Sequence, residues 1–197
     1  MTVKEKPKGR GRPRAFDRDA ALDQAQALFH AHGYDGVGVA ALAQAMGVNP
    51  PSLYAAFGSK AALFDEVLGR YARNGLPLDT LLAPSEEPVA ALHTLLTLAA
   101  RIYAADPQAA GCLVLEGARG ADAEAAGCAR TWKAGSMAQL RAFLEPTHPQ
   151  VAEQVADYMG AVMSGMSADA RAGTSSERLV AVADMAALAI AAVLSPR

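Results

Sequence analysis

Cysteine, isoleucine and aromatic side chains are scarce in this chain. Two cysteines among 197 residues cannot build a disulfide framework, so a reducing compartment, the cytoplasm, is expected. Two isoleucines and 6% aromatics against 46 alanines leave few strand formers and many helix formers, which excludes a sheet architecture and favours an all-α fold. Long hydrophobic runs are also missing. The 52% hydrophobic content is inflated by alanine, and the longest apolar stretch, 179–194, is too short to span a bilayer and carries Asp184. No apolar segment follows the basic first 18 residues, so no secretory signal and no membrane partner are expected. A nucleophile elbow, a phosphate loop and a metal-ligand run are all lacking. His30 and His32 lie at i, i+2 on a helix, which points their rings apart. No catalytic residue, cofactor or metal is therefore expected, and a helical enzyme is only a distant alternative.

What is present is an asymmetry. The net charge of −2 hides a first segment, 1–18, with seven basic residues against two acidic ones. A basic arm on an acidic body suits a protein that meets nucleic acid at one end. Residues 1–15 are rich in Gly, Pro, Lys and Arg and are expected to be disordered when alone. Helical periodicity then runs from 18 to 32 behind Asp17 as N-cap, from 39 to 46, from Pro50 to Phe57, and from Ser59 to the breakers Gly75 and Pro77. Residues 77–88 read as a linker. Beyond it come helices at about 88–105, 112–119, 121–145, 150–172 and 175–194, the last opened by a T-x-x-E capping box at Thr174–Glu177. The expected domains are a disordered basic arm (1–15), a helix-turn-helix domain (16–73) and a helical effector-binding and dimerisation domain (74–197).

Two short helices joined through Gly47, Val48 and Asn49 form either a helix-turn-helix or an ordinary αα-corner, and the basic arm beside them favours the first. The stretch from Phe29 to Phe64 resembles the DNA-binding region of TetR/AcrR-type transcriptional regulators. The resemblance rests on Gly33-Tyr34, Leu42-Ala43, Gly47-Val48, Leu53-Tyr54, Phe57-Gly58-Ser59-Lys60 and Ala62-Leu63-Phe64, and it covers about residues 16–72. It implies a homodimeric, ligand-responsive regulator, foremost a repressor, with double-stranded operator DNA as partner. By the same resemblance Tyr54 and Lys60 meet phosphates. The Ser or Thr that usually caps the second helix is missing, leaving backbone amides at Gly38 for that contact. Asn49, Ser52 and Tyr54 are the base-reading candidates in a helix that holds Ala55 and Ala56 and no Arg or Lys. Arg10, Gly11, Arg12 and Pro13 resemble an AT-hook, so Arg10, Arg12 and Arg14 are candidates for the minor groove.

In the C-terminal half the resemblance implies a pocket for an unidentified small-molecule effector. Leu96, Trp132, Met137, Tyr158 and Met159 are the candidate lining residues. Glu116 and Arg119 are expected to pair at i, i+3. Cys112 and Cys128, 16 apart, fit no metal motif, and a metal- or redox-sensing regulator using them stands as the alternative. The two last helices, about 150–194, are apolar or small on most faces and are expected to form the homodimer surface.

Overall fold

The computed structural model describes residues 16–84 and 87–195, and every regular element among them is helical. The basic arm, with Arg10, Arg12 and Arg14, lies outside the described residues. Four helices come first: α1 (Arg18–His32), α2 (Val39–Ala45), α3 (Pro50–Phe57) and α4 (Lys60–Asn74). Their ends follow local chemistry. The side chains of Asp17, Asn49 and Ser59 accept hydrogen bonds from the backbone amides of Ala20, Ser52 and Ala62 at 2.8–3.1 Å, closing the starts of α1, α3 and α4. Gly33, Gly47 and Gly58 take positive φ where α1, α2 and α3 end.

Then follow α5 (Leu78–Leu81), α6 (Pro88–Tyr103), a 3₁₀ turn at Pro107–Ala109, α7 (Leu113–Gly117), α8 (Ala123–Leu144), α9 (Ala152–Arg171) and α10 (Ser176–Leu194). Two expectations are corrected. The linker at 77–88 contains the one-turn helix α5, because Leu78 and Leu81 pack against the core. The Thr174 capping box does not form. The Thr174 amide closes the end of α9 on the Asp169 carbonyl at 2.9 Å, and Ser175 is the N-cap of α10, with its hydroxyl on Glu177.

α4 belongs to both halves of the molecule. Its Leu63, Phe64, Val67 and Leu68 are buried. Phe64 meets Phe29 edge-on at 5.0 Å and lies 5.0 Å from Tyr34, which ties α1, α4 and the loop after α1 together. Burying each such side chain contributes roughly 1.5–3 kcal/mol. The other side of α4 packs on α8, where a Cβ added at Gly69 would come within 2.8 Å of the Trp132 ring. In the C-terminal half α10 lies along α6, while α9 packs on α6 and α8. Among the described residues, polar links join the N-terminal helices to the rest. Trp132 Nε1 donates to Asp65, the Ala121 amide donates to Asp35, His30 Nε2 donates to the Gly111 carbonyl, and Arg171 donates to the His30 and Ala110 carbonyls. No single helix among the described residues is long and apolar enough to cross a membrane.

Candidate nucleic-acid interface

α2, the Gly47 turn and α3 form a helix-turn-helix whose inner side is set by Leu42, Ala43, Leu53 and Phe57, all buried. Fixing those four residues inward turns the opposite face of α3 to solvent. Asn49, Ser52, Tyr54 and Ala55 are exposed, and Tyr54 retains 48% of its surface. The side-chain oxygen of Asn49 accepts the cap bond from the Ser52 amide, which leaves its NH₂ group and one lone pair to address a base. Gly38 is exposed at the N-cap of α2 and makes no side-chain cap.

Lys60 is half-buried. Its ammonium donates to the Tyr34 carbonyl at 2.7 Å and lies 3.9 Å from the centre of the Tyr34 ring. Burial lowers the lysine from its ordinary value, and nearby Asp35 and Asp122 oppose that shift. Burial also pushes Tyr34 up to about 12, with Asp122 and Glu124 adding to it.

Sequence reasoning missed the device that roots the arm. Arg18 donates to the Ala56 carbonyl at 2.8 Å and to Glu66 at 2.6 Å, and its guanidinium lies 4.5 Å from the centre of the Phe57 ring. Phe16 meets the same ring edge-on at 5.9 Å. The chain that follows the arm is thus strapped to the C-terminal end of α3. No local sequence signal marks this, because its partners are 38 to 48 residues away. Arg70 is likewise engaged, with Asp19 and Asp23 of α1. Residues 16–73 hold four basic and six acidic residues, so the N-terminal helices are net negative, and Arg18, Lys60 and Arg70 already have intramolecular partners.

Behind α4 lies an apolar cavity of about 100 Å³ between α4, α6, α8 and α9. Tyr71, Tyr103, Cys112, Met137, Leu140 and Met163 are among its walls. Of the five expected effector residues, Met137 lines it. Leu96 and Met159 are wholly buried but face elsewhere, and their helix neighbours Leu95 and Met163 line the cavity. Tyr158 is exposed on α9. Trp132 faces α4 and contributes to a separate, more open groove with Arg73 and Asp79. Periodicity identifies the apolar stripe of each helix but not which part of it borders empty space.

Glu116 and Arg119 pair at 2.8 Å as expected, and Glu116 also accepts from the Ser167 hydroxyl. Burial raises the Cys112 thiol; burial and the carboxylates of Asp65 and Glu124 raise Cys128. A reactive thiolate needs the reverse shift. Two of the histidines are engaged elsewhere: His93 with Asp184, and His148 with the Leu194 carbonyl. Among the described residues no group of His, Cys, Asp and Glu could hold a metal ion.

An exposed recognition helix on a buried three-helix core defines a helix-turn-helix DNA-binding protein. Residues 21–67 match the family of bacterial regulatory proteins of the TetR type. Over most of its length the chain is similar to two HTH-type transcriptional repressors of Escherichia coli K12. It is 42% identical to BdcR, over 98% of this chain and 99% of the relative, and 34% identical to ComR, over 89% and 90%. Among solved structures it is similar to the TetR-family regulator CifR, in a cysteine mutant bound to a 26-base-pair operator, with a TM-score of 0.81, 33% identity, and 90% and 99% of the two chains covered. The chain belongs to the TetR family of transcriptional regulators, which is not a family of enzymes.

Proposed function

We propose that this protein is a homodimeric transcriptional repressor that a small-molecule effector releases from its operator. The observation that carries the reading is the span of α4. The helix begins at Lys60 beside the recognition helix and, near its other end, places Tyr71 and Ala72 in the cavity wall. A molecule entering the cavity displaces the far end of α4, and the helix transmits that shift to the DNA-reading face. In a dimer the spacing of two recognition helices must match successive major grooves, so a small shift costs affinity. In this reading residues 16–73 bind DNA and residues 74–197 sense the effector and dimerise, in the cytoplasm.

DNA contact is assigned to Gly38, Asn49, Ser52 and Tyr54, to Lys60 through the N–H donors that its bond to the Tyr34 carbonyl leaves open, and to Arg10, Arg12 and Arg14 of the arm. The recognition helix has few hydrogen-bonding groups for bases, and its surroundings are net negative. The arm therefore supplies the phosphate attraction, and its R-G-R-P sequence suits a narrow A·T minor groove. α10 buries Leu179, Ala183 and Ile190 but exposes Val182, Met185, Leu188 and Val193 on the other side. That apolar face, with α9, is assigned to a second copy of the chain. Two relatives named as repressors support the sign of regulation.

The test is a band-shift on DNA upstream of the protein's own gene, with and without candidate effectors. Retardation that an effector reverses is expected. Failure to bind any duplex, at low salt and as a dimer, contradicts the reading.

A further inference from the structure

α1 is anchored independently of its Arg18 strap. Asp17 caps the helix, Ala21, Leu22, Ala25 and Phe29 are buried, and Arg70 of α4 holds Asp19 and Asp23. Arg18 reaches α3 and α4 in addition. One of its guanidinium nitrogens donates to the carbonyl of Ala56, in the last turn of α3. Carbonyls there lack partners within the helix, and a cation suits that end of the dipole. Another nitrogen donates to Glu66 of α4, and the guanidinium lies over the Phe57 ring. The side chains of Arg18 and Glu66 keep 47% and 38% of their surface, and an exposed ion pair of this kind contributes little to stability.

What the strap fixes is the place where the chain enters the fold. Phe16 meets the Phe57 ring edge-on and borders one groove with Met46, Gly47 and Val48 of the turn between α2 and α3. Residues 16–18 are thus seated against the turn before the recognition helix and against its last residue, and the arm starts from that point. A fully extended chain spans at most about 3.6 Å per residue, which puts Arg14 within about 14 Å of Arg18 and Arg10 within about 29 Å. Successive major grooves lie about 34 Å apart, so the minor groove beside the one that α3 would read is within that reach. A tethered group gains from its tether only when root and site are in register, and a fixed root lowers the ordering that binding demands.

We propose that Arg18, with Phe16, is a positioning residue for the arm. It fixes the root of residues 1–15 against the recognition helix, so that α3 in the major groove and the arm arginines in the neighbouring minor groove meet one half-site together. Its charge is balanced by Glu66, and it acts through the arm rather than by touching DNA. The inference rests on the DNA-binding reading above and deepens it.

The experiment is a mutant cycle in the full chain. Arg18→Gln and Phe16→Ala are each made with the native arm and with an arm carrying Arg10→Gln, Arg12→Gln and Arg14→Gln. Operator affinity is read by fluorescence anisotropy at low salt, where weakened binders stay measurable, and folding by circular dichroism and thermal melts. With the native arm each substitution is expected to weaken operator binding about threefold to tenfold, the ordering cost of one or two side chains. With the substituted arm the loss should shrink to less than about twofold, the limit of additivity for independent sites. Every variant should stay helical and melt close to the native protein. Phe16 has neither charge nor hydrogen-bond donor in its side chain, so a loss on Phe16→Ala that depends on the arm is not a lost phosphate contact. Equal losses with both arms overturn the proposal, since Arg18 would then act on DNA or on the fold directly. Unchanged affinity for both substitutions with the native arm overturns it as well. If the native protein binds its operator while either of those results is found, the positioning role alone fails; if it binds no duplex, the repressor reading fails and the proposal with it.

Discussion

At the scale of single residues, the same side-chain types do different work depending on what already occupies their polar atoms. Tyr54 is exposed on α3 with its hydroxyl available, whereas the Asn49 side-chain oxygen already takes part in capping. Tyr54→Phe should leave the melting temperature unchanged and weaken operator binding several-fold, the effect of one phosphate hydrogen bond of about 1 kcal/mol. Fluorescence anisotropy on labelled operator checks it. Asn49→Ala should instead lower stability by about 1 kcal/mol through loss of the cap, measurable by thermal denaturation. His30 supplies a pH dependence. Burial lowers it from 6.5, Arg171 adds to that, and Asp106, Glu116 and the Gly111 carbonyl oppose it. A histidine whose folded pKa lies below its unfolded value leaves the unfolded chain holding more protons between the two. Its contribution is complete above pH 6.5 and is lost as the pH falls below that value. Chemical denaturation at pH 7.5 and 5.5 should therefore show a larger loss for the native protein than for His30→Gln. Equal losses would mean that His30 is not the group responsible.

At the scale of elements, the head and body are joined where backbones approach closely. A Cβ added at Gly117 of α7 would lie 2.9 Å from the Phe64 ring and 3.1 Å from Ala129, and Phe64 is held by Phe29 and Tyr34. Gly117→Ala should destabilise the protein by about 1–3 kcal/mol, the usual cost of overpacking, in a thermal melt. Helix positions were legible in the sequence because caps and breakers are local: Asp17, Ser59, Gly33 and Gly58 act on residues within one turn. The helix-turn-helix was legible only in part from Gly47 and the apolar pairs around it, which also fit an αα-corner; the basic arm and the resemblance decided between the two. The Trp132–Asp65 bond, the Arg18 strap and the Lys60 tether were not, since each partner lies 26 to 67 residues away. The cavity escaped because a shift of one position on a helix, from Leu96 to Leu95, decides whether a buried leucine borders space or packing.

At the scale of the whole molecule, charge and apolar surface are segregated. The exposed Met185 and Leu188 retain 67% and 66% of their surface on a face that the described residues leave uncovered. Replacing both with Asp should convert a dimer to a monomer in analytical ultracentrifugation and abolish tight operator binding, while the monomer stays helical by circular dichroism. The central claim is that DNA attraction comes from the arm, because residues 16–73 are net negative and three of their four cations are engaged internally. The most direct test measures operator affinity against salt concentration for the full chain and for residues 15–197. Every phosphate that the protein ceases to neutralise removes about 0.9 from the slope of log affinity against log salt. Deleting six basic residues is expected to weaken binding and to flatten the slope by about two or more per protomer. An unchanged affinity and an unchanged slope would contradict the claim.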